Sequence, residues 1–185
     1  MTSETAAKLR AIPSLTGMAP EVDLERLPTD PTSLFYEWLD AAVHARVPEP
    51  AAATLSTVDD RGLPDARTLI VKDVDSSGWA FAGTASSSKG QQLAAHPVAA
   101  LAIWWQPLVR AIRLRGPVSE ASPEDCEADL AARSEAARAA VAPGDWRLWR
   151  IQPTRVEFWQ GATDRRHVRI VYTLDGGWNL NVTGG

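Results

Sequence analysis

The first sustained periodicity begins at Asp30-Pro31. There Leu34, Phe35, Trp38, Leu39 and Ala42 recur at i, i+1, i+4, i+5 and i+8, the stripe of an amphipathic helix with an N-cap and an early proline. The helix is predicted to end before Pro48. From Ala52 the texture changes to short β-like runs divided by turns: Ala53 to Val58, the turn Asp59 to Gly62, Ala66 to Val71, the turn Asp75 to Gly78, and Trp79 to Gly83. Ser86 to His96 reads as a short helix stopped by Pro97, and Ala99 to Trp105 and Leu108 to Leu114 as two more strands. Pro123 to Ala142, Ala-rich and charged, is predicted as one helix. Beyond Pro143-Gly144 lie the strand-sized pieces Trp146 to Gln152, Arg155 to Gln160, Arg166 to Thr173 and Trp178 to Asn181. About eight strands and three helices without an internal repeat predict a mainly β fold with flanking helices, its strands closing into a barrel. Residues 1–29 carry Pro13, Pro20 and Pro28 without sustained periodicity, so they are expected to form a flexible N-terminal arm, mobile or draped, ahead of a single domain over 30–185.

Composition narrows the class. A chain of 185 residues with 45% hydrophobic and 23% charged side chains buries a core unaided, which excludes disordered and fibrous architectures. The longest apolar run, Val98 to Trp105, is far too short to cross a bilayer, so no membrane role is expected. Met1 to Arg10 lacks a basic stretch followed by an apolar one, and Cys126 has no partner for a disulfide, which points to a reducing cytoplasm. A net charge of −4 gives nucleic acid no global attraction.

Nucleophile elbows, Walker A loops, dinucleotide fingerprints and paired Cys or His at metal-ligand spacing are all absent from the sequence, so no metal is expected. Three basic segments remain. On a strand, Arg165, His167 and Arg169 would share one face, where they suit an anionic ligand or developing negative charge; a solvated edge strand would look the same. Arg67 and Lys72 bracket a strand at opposite parity, so a regular strand would not aim both at one phosphate. Thr84 to Lys89 offers hydroxyls and the first amides of a helix to a phosphate, with Lys89 as counter-charge, although a plain helix cap has the same composition.

Taken in this order, these segments resemble the pyridoxamine 5'-phosphate oxidase family, the FMN-binding split barrels. The resemblance runs from about Leu27 to Trp178. It rests on Arg67 to Lys72, Ser86 to Lys89, Trp105 to Gly116, and Val156-Glu157-Phe158-Trp159-Gln160-Gly161 followed by Arg165, His167 and Arg169. It implies a homodimeric FMN-binding split β-barrel with FMN at the interface. The implied FMN contacts are Arg67, Thr68, Leu69, Ile70, Val71, Lys72, Ala82, Gly83, Ser88 and Lys89, with Trp159 and Arg169 arriving from the partner chain. It further implies that Lys72, Arg133, Arg165 and His167 hold a small-molecule substrate, Arg165 and His167 as the catalytic pair.

This chain also departs from the family pattern. Asp129 and Ala137 stand where a Tyr and a Ser are expected at the substrate phosphate, Ala111 replaces a Gln at the flavin, Val168 replaces an Asp, and the segment after Arg133 is shortened. The expected activity is that of an FMN-dependent oxidase, with hydride passing from substrate to FMN and O2 reoxidising it. A vitamin B6 phosphate ester comes first as substrate. The alternatives are a bulkier phenazine precursor, or a flavin- or pyridoxal phosphate-binding protein with little turnover. A deazaflavin cofactor fits the same positions less well.

Overall fold

Strand β6 (Arg110–Glu120) changes partners halfway along, and the rest of the sheet is arranged around that change. In the computed structural model, which describes residues 3–184, its first half pairs with β8 (Arg155–Gln160) and its last three residues with β7 (Trp146–Ile151). Its other edge pairs along the whole of β5 (Val98–Trp105). From β5 the ladder continues to β1 (Ala52–Val58) and β2 (Pro64–Ile70), and from β8 to β9 (Val168–Leu174) and β10 (Trp178–Thr183). The second branch runs from β7 to β4 (Gly78–Thr84) and the short β3 (Asp73–Asp75), and every pair is antiparallel.

The switch sits at Gly116-Pro117. The Gln152–Thr154 turn between β7 and β8 is hydrogen-bonded onto it, Gln152 N–H donating to Pro117 O at 2.9 Å and Thr154 N–H to Arg115 O at 3.0 Å. A Cβ on Gly116 would stand 2.0 Å from the Gln152 carbonyl oxygen, so only glycine lets the two backbones approach this closely.

The core lies inside the curl. On β5, Ala99, Leu101, Ile103 and Trp105 point in; on β6, Ile112 and Leu114; on β8, Val156 and Phe158. Helix α2 (Pro31–His44) closes one end with Leu34, Phe35, Trp38 and Ala42, as its periodicity predicts, and Asp30 caps it by accepting from Ser33 N–H at 2.9 Å. Full burial of each large side chain contributes roughly 1.5–3 kcal/mol, so this contact sets the attitude of α2 on the curled sheet. Helix α3 (Ser88–Ala95) leans on β1 through Leu93. Strand β4 is buried on both faces, because Ala80 packs with Leu148 and with Cys126 of α4 (Pro123–Ala131).

Several expectations are corrected. Ten strands and five α-helices occur among the described residues, where about eight and three were predicted. The sheet curls into a half-barrel, in keeping with the split barrel that the resemblance implies, but the ladder does not close on itself: β2, β3 and β10 remain edges, because β6 divides its pairing between two branches. Pro123 to Ala142 is two helices, α4 and α5 (Glu135–Ala139); Ser134 interrupts the run by capping α5, accepting from Ala137 N–H at 3.3 Å. An N-terminal helix, α1 (Glu4–Ala11), forms under a Ser3 cap and buries no side chain, which is why no hydrophobic period announces it. Residues 16–28 then run along the sheet, with Met18 N–H donating to Pro107 O at 2.9 Å, Gln160 Nε2 to Pro20 O at 2.6 Å and the Tyr172 hydroxyl to Pro28 O at 2.7 Å.

Gly116→Ala is expected to cost about 1–3 kcal/mol, since neither backbone can yield without breaking the branch point. The urea midpoint of unfolding reads this directly, and an unchanged midpoint would mean that the branch tolerates a side chain.

Candidate functional site

The outward face of the long ladder is lined by rows of side chains set by strand register. Trp104, Ala111, Trp159 and Arg169 are successive cross-strand partners on β5, β6, β8 and β9. The next row reads Thr68, Thr54, Ala102, Arg113 and Glu157 across β2, β1, β5, β6 and β8. Alanines and threonines in mid-row leave an open groove of about 640 Å³ between the rows, flanked by the Trp104 and Trp159 rings, whose centroids lie 6.1 Å apart.

Glu157 anchors the groove floor. It is 3% exposed, and its carboxylate accepts from Arg113 Nε and Nη2 at 2.9 Å each, from Arg155 Nη2 at 2.9 Å and from Arg169 Nε at 3.1 Å. Burial alone would raise its pKa, but hydrogen bonds from Arg113 and Arg155 and the charges of Arg113 and Arg169 outweigh it and hold the carboxyl below the ordinary glutamate range. One carboxylate among three arginines leaves the floor positive.

A second cationic place lies where β2, β4 and α3 meet. Arg67 Nη2 donates to Asp65 at 2.7 Å and to Gln92 Oε1 at 2.9 Å, and Nη1 donates to Thr57. Ser87 caps α3, and the Lys89 ammonium rests 3.3 Å from its hydroxyl. A Cβ on Gly83 would fall 2.2 Å from Lys89 Nζ, so the absence of a side chain on β4 makes the seat for the lysine. Burial first, and then the charge of Arg67, hold the Lys89 pKa below the ordinary lysine range. No carboxylate pairs with Lys89 among the described residues. Ser88, in the first turn of α3, is exposed.

The other predicted FMN contacts are spread along this side. Thr68 faces the groove, Leu69 packs on the core, Ile70 is exposed, and Val71 is buried with its N–H donating to Ala51 O at 2.9 Å. Ala82 is half-buried on β4 opposite Leu148.

Lys72 lies away from Arg67, in keeping with their opposite parity. Its N–H donates to Ala80 O at 2.8 Å and its ammonium lies 3.6 Å from Asp129 of α4. The other Asp129 oxygen accepts from the Trp146 indole N–H at 2.9 Å, and the Arg133 guanidinium lies 4.5 Å above the Trp146 ring with its Nε buried and unpartnered.

The expected face of Arg165, His167 and Arg169 does not form. Strand β9 begins only at Val168, and residues 161–167 are a loop in which Arg165 takes a left-handed conformation, φ 66°. Asp164 shapes that turn by accepting from Arg166 N–H at 3.0 Å and Arg166 Nε at 2.8 Å, so period two is lost before the strand starts. Arg165 is exposed. His167 stays with the groove nonetheless: its ring centroid lies 5.0 Å from that of Trp159, and its Nδ1 accepts from Ala162 N–H at 2.9 Å. The fold therefore joins Trp159, His167 and Arg169 at one end of the groove, Arg67 and Lys89 at α3, and Lys72 and Arg133 at α4, with no contact linking the three groups within one chain among the described residues.

Family models match most of the chain. One described as pyridoxamine 5'-phosphate oxidase covers residues 39–160, and one described as the pyridoxine 5'-phosphate oxidase C-terminal dimerisation region covers residues 146–182. The chain belongs to the pyridoxamine 5'-phosphate oxidase family. That is a family of FMN-dependent oxidoreductases. The chain is 38% identical to a pyridoxine/pyridoxamine 5'-phosphate oxidase of Bordetella petrii over 82% of its own length and 87% of the relative's. It is 37% identical to one of Thermosynechococcus vestitus, over 80% and 84% respectively. Among solved structures it is similar to PhzG from Burkholderia lata 383 in complex with tetrahydrophenazine-1-carboxylic acid, with TM-score 0.82, 25% identity, and coverage of 91% of this chain and all of that one.

Within this family frame, the residues that the sequence did not single out are Glu157 as a hub, Arg113, Arg155, Gln92 and Trp104. Each becomes visible only when register sets strands side by side, because nothing in a single run says that Arg113 faces Glu157, 44 residues later.

Glu157→Gln should cost about 1–3 kcal/mol, a figure reduced for the partial exposure of the arginines. The pH dependence has a definite sign. The folded carboxyl titrates below its unfolded value, so its stabilisation is full above the unfolded pKa and fades as pH falls through the folded one. The urea midpoint of the wild type should therefore fall on acidification below about pH 4.3, the ordinary glutamate value, more steeply than that of the Gln variant. Parallel acid limbs would remove Glu157 from that role.

Proposed function

We propose that this chain is an FMN-dependent oxidase that works as a homodimer and oxidises a small planar substrate of the vitamin B6 kind. The observation that carries this reading is Lys89, a half-buried ammonium beside Arg67 and over Gly83, with a hydroxyl and, among the described residues, no carboxylate for company. Two cations held together away from bulk water repel one another, and a phosphate dianion turns that repulsion into attraction. Arg67, Ser88 and Lys89 would hold the FMN phosphate, the Thr68–Lys72 segment and the Ala82–Gly83 backbone would border the cofactor, and Trp159 and Arg169 would reach it across the dimer. The match of residues 146–182 to a dimerisation region and the trough of small side chains on the outer face support that pairing.

FMN, when bound, would supply the two-electron acceptor for hydride from a substrate C–H, with O2 as the final oxidant. The chain's own residues position the substrate. With Nδ1 accepting from Ala162 N–H, Nε2 is the His167 ring nitrogen left to hydrogen-bond the substrate. Arg165 brings a cation on the same loop, and Lys72 and Arg133 face the substrate from the opposite subunit. A bulkier phenazine-type substrate is the second reading, favoured by the likeness to PhzG.

The deciding experiment loads the purified protein with FMN, desalts it, and adds pyridoxine or pyridoxine 5'-phosphate without oxygen while the visible flavin absorbance is followed. Bleaching by either supports the reading; retained colour that neither bleaches leaves a binding protein or another substrate; loss of the flavin on desalting overturns the cofactor assignment.

Lys89→Ala should weaken FMN binding roughly 10–150-fold, the loss of a hydrogen bond to a charged group worth about 1.5–3 kcal/mol, as read by quenching of flavin fluorescence. His167→Asn keeps an acceptor for Ala162 N–H, so FMN affinity should hold while anaerobic flavin reduction slows by about 10²-fold or more. Equal loss of both would make His167 structural.

A further inference from the structure

The place where Lys72 and Arg133 meet already contains an anion. Asp129 projects from α4 one turn after Cys126, whose Sγ accepts from Leu148 N–H at 3.2 Å and locks the helix onto β7. From there one carboxylate oxygen lies 3.6 Å from the Lys72 ammonium and the other accepts from the Trp146 indole at 2.9 Å, with the Asp129 side chain only 13% exposed. Both oxygens are engaged, and the helix, the sheet and the indole hold the carboxylate in place. Arg133 is turned onto the Trp146 ring at 4.5 Å. The contrast with Lys89 is direct: among the described residues that ammonium has no carboxylate beside it, and this one does.

The relatives carry a name that specifies a 5'-phosphate on the substrate. A dianion brought against Lys72 in this chain would lie beside a fixed, poorly hydrated carboxylate, and the attraction of the lysine would be met by like-charge repulsion from its own partner. A neutral hydroxyl faces no such conflict, since it accepts from an ammonium and donates to a carboxylate at once. We infer that Asp129 is a specificity-determining residue, and that the substrate end lying over the Lys72–Asp129 pair carries an uncharged hydroxyl-bearing group in place of a phosphate. The inference rests on the FMN-oxidase reading and narrows its substrate to the unphosphorylated B6-type heterocycle.

The test measures dissociation constants of pyridoxal and pyridoxal 5'-phosphate by equilibrium dialysis against the FMN-loaded wild type and Asp129→Asn. Asn keeps an oxygen for the Trp146 indole and removes only the charge. Wild type should bind the phosphate ester no tighter than pyridoxal. Asp129→Asn should shift the ratio of the two constants about tenfold or more toward the ester, the worth of a freed charge-assisted hydrogen bond. Asp129→Ser, which also lacks the carboxylate, carries the same expectation should Asn fold poorly. A wild type that prefers the ester tenfold, or variants whose ratio does not move toward it, would overturn the inference. Flavin absorbance retained after desalting is recorded separately, so failure of the cofactor reading shows as lost colour whereas failure of this one shows only in the ligand constants.

Discussion

Strand β6 cannot keep one partner along its length, and the architecture follows from that. At Gly116-Pro117 one strand edge passes from β8 to β7, and the turn carrying Gln152 closes against a backbone that has no room for a side chain. Because the sheet forks here, one branch folds under α4 while the other stays uncovered on its outward face.

What the outward face displays is governed by charge as much as by shape. Burying a carboxylate as deeply as Glu157 is costly unless it is paired, and Arg113, Arg155 and Arg169 pair it. That hub fixes three long, otherwise floppy side chains beside a groove floored by alanine and threonine, giving a positive, ordered surface of the kind expected to meet an anionic cofactor or a second subunit.

Two lysines show how one neighbouring residue changes the meaning of a cation. Lys89 shares its seat with a hydroxyl and an arginine, so its charge is available to an incoming anion. Lys72 shares its seat with Asp129, so its charge is largely answered within the protein. Of the two, only Lys89 has a seat free of a neighbouring carboxylate among the described residues, the surroundings that suit phosphate recognition.

Period and composition determined much of this protein: the amphipathic helix at Pro31–His44, the β-rich body with most of its strand segments, and, through the resemblance of short motifs, the family itself. These features are local, carried by residues a few positions apart. The fork at Gly116, the Glu157 hub, the loop that removes Arg165 from β9 and the Lys72–Asp129–Trp146 cluster were decided only in three dimensions. Each depends on backbone register or packing between segments tens of residues apart. Along the chain Asp129 is marked only as a departure from the family pattern, and it becomes an internal counter-ion because Cys126 seats its helix against the strand that carries Trp146.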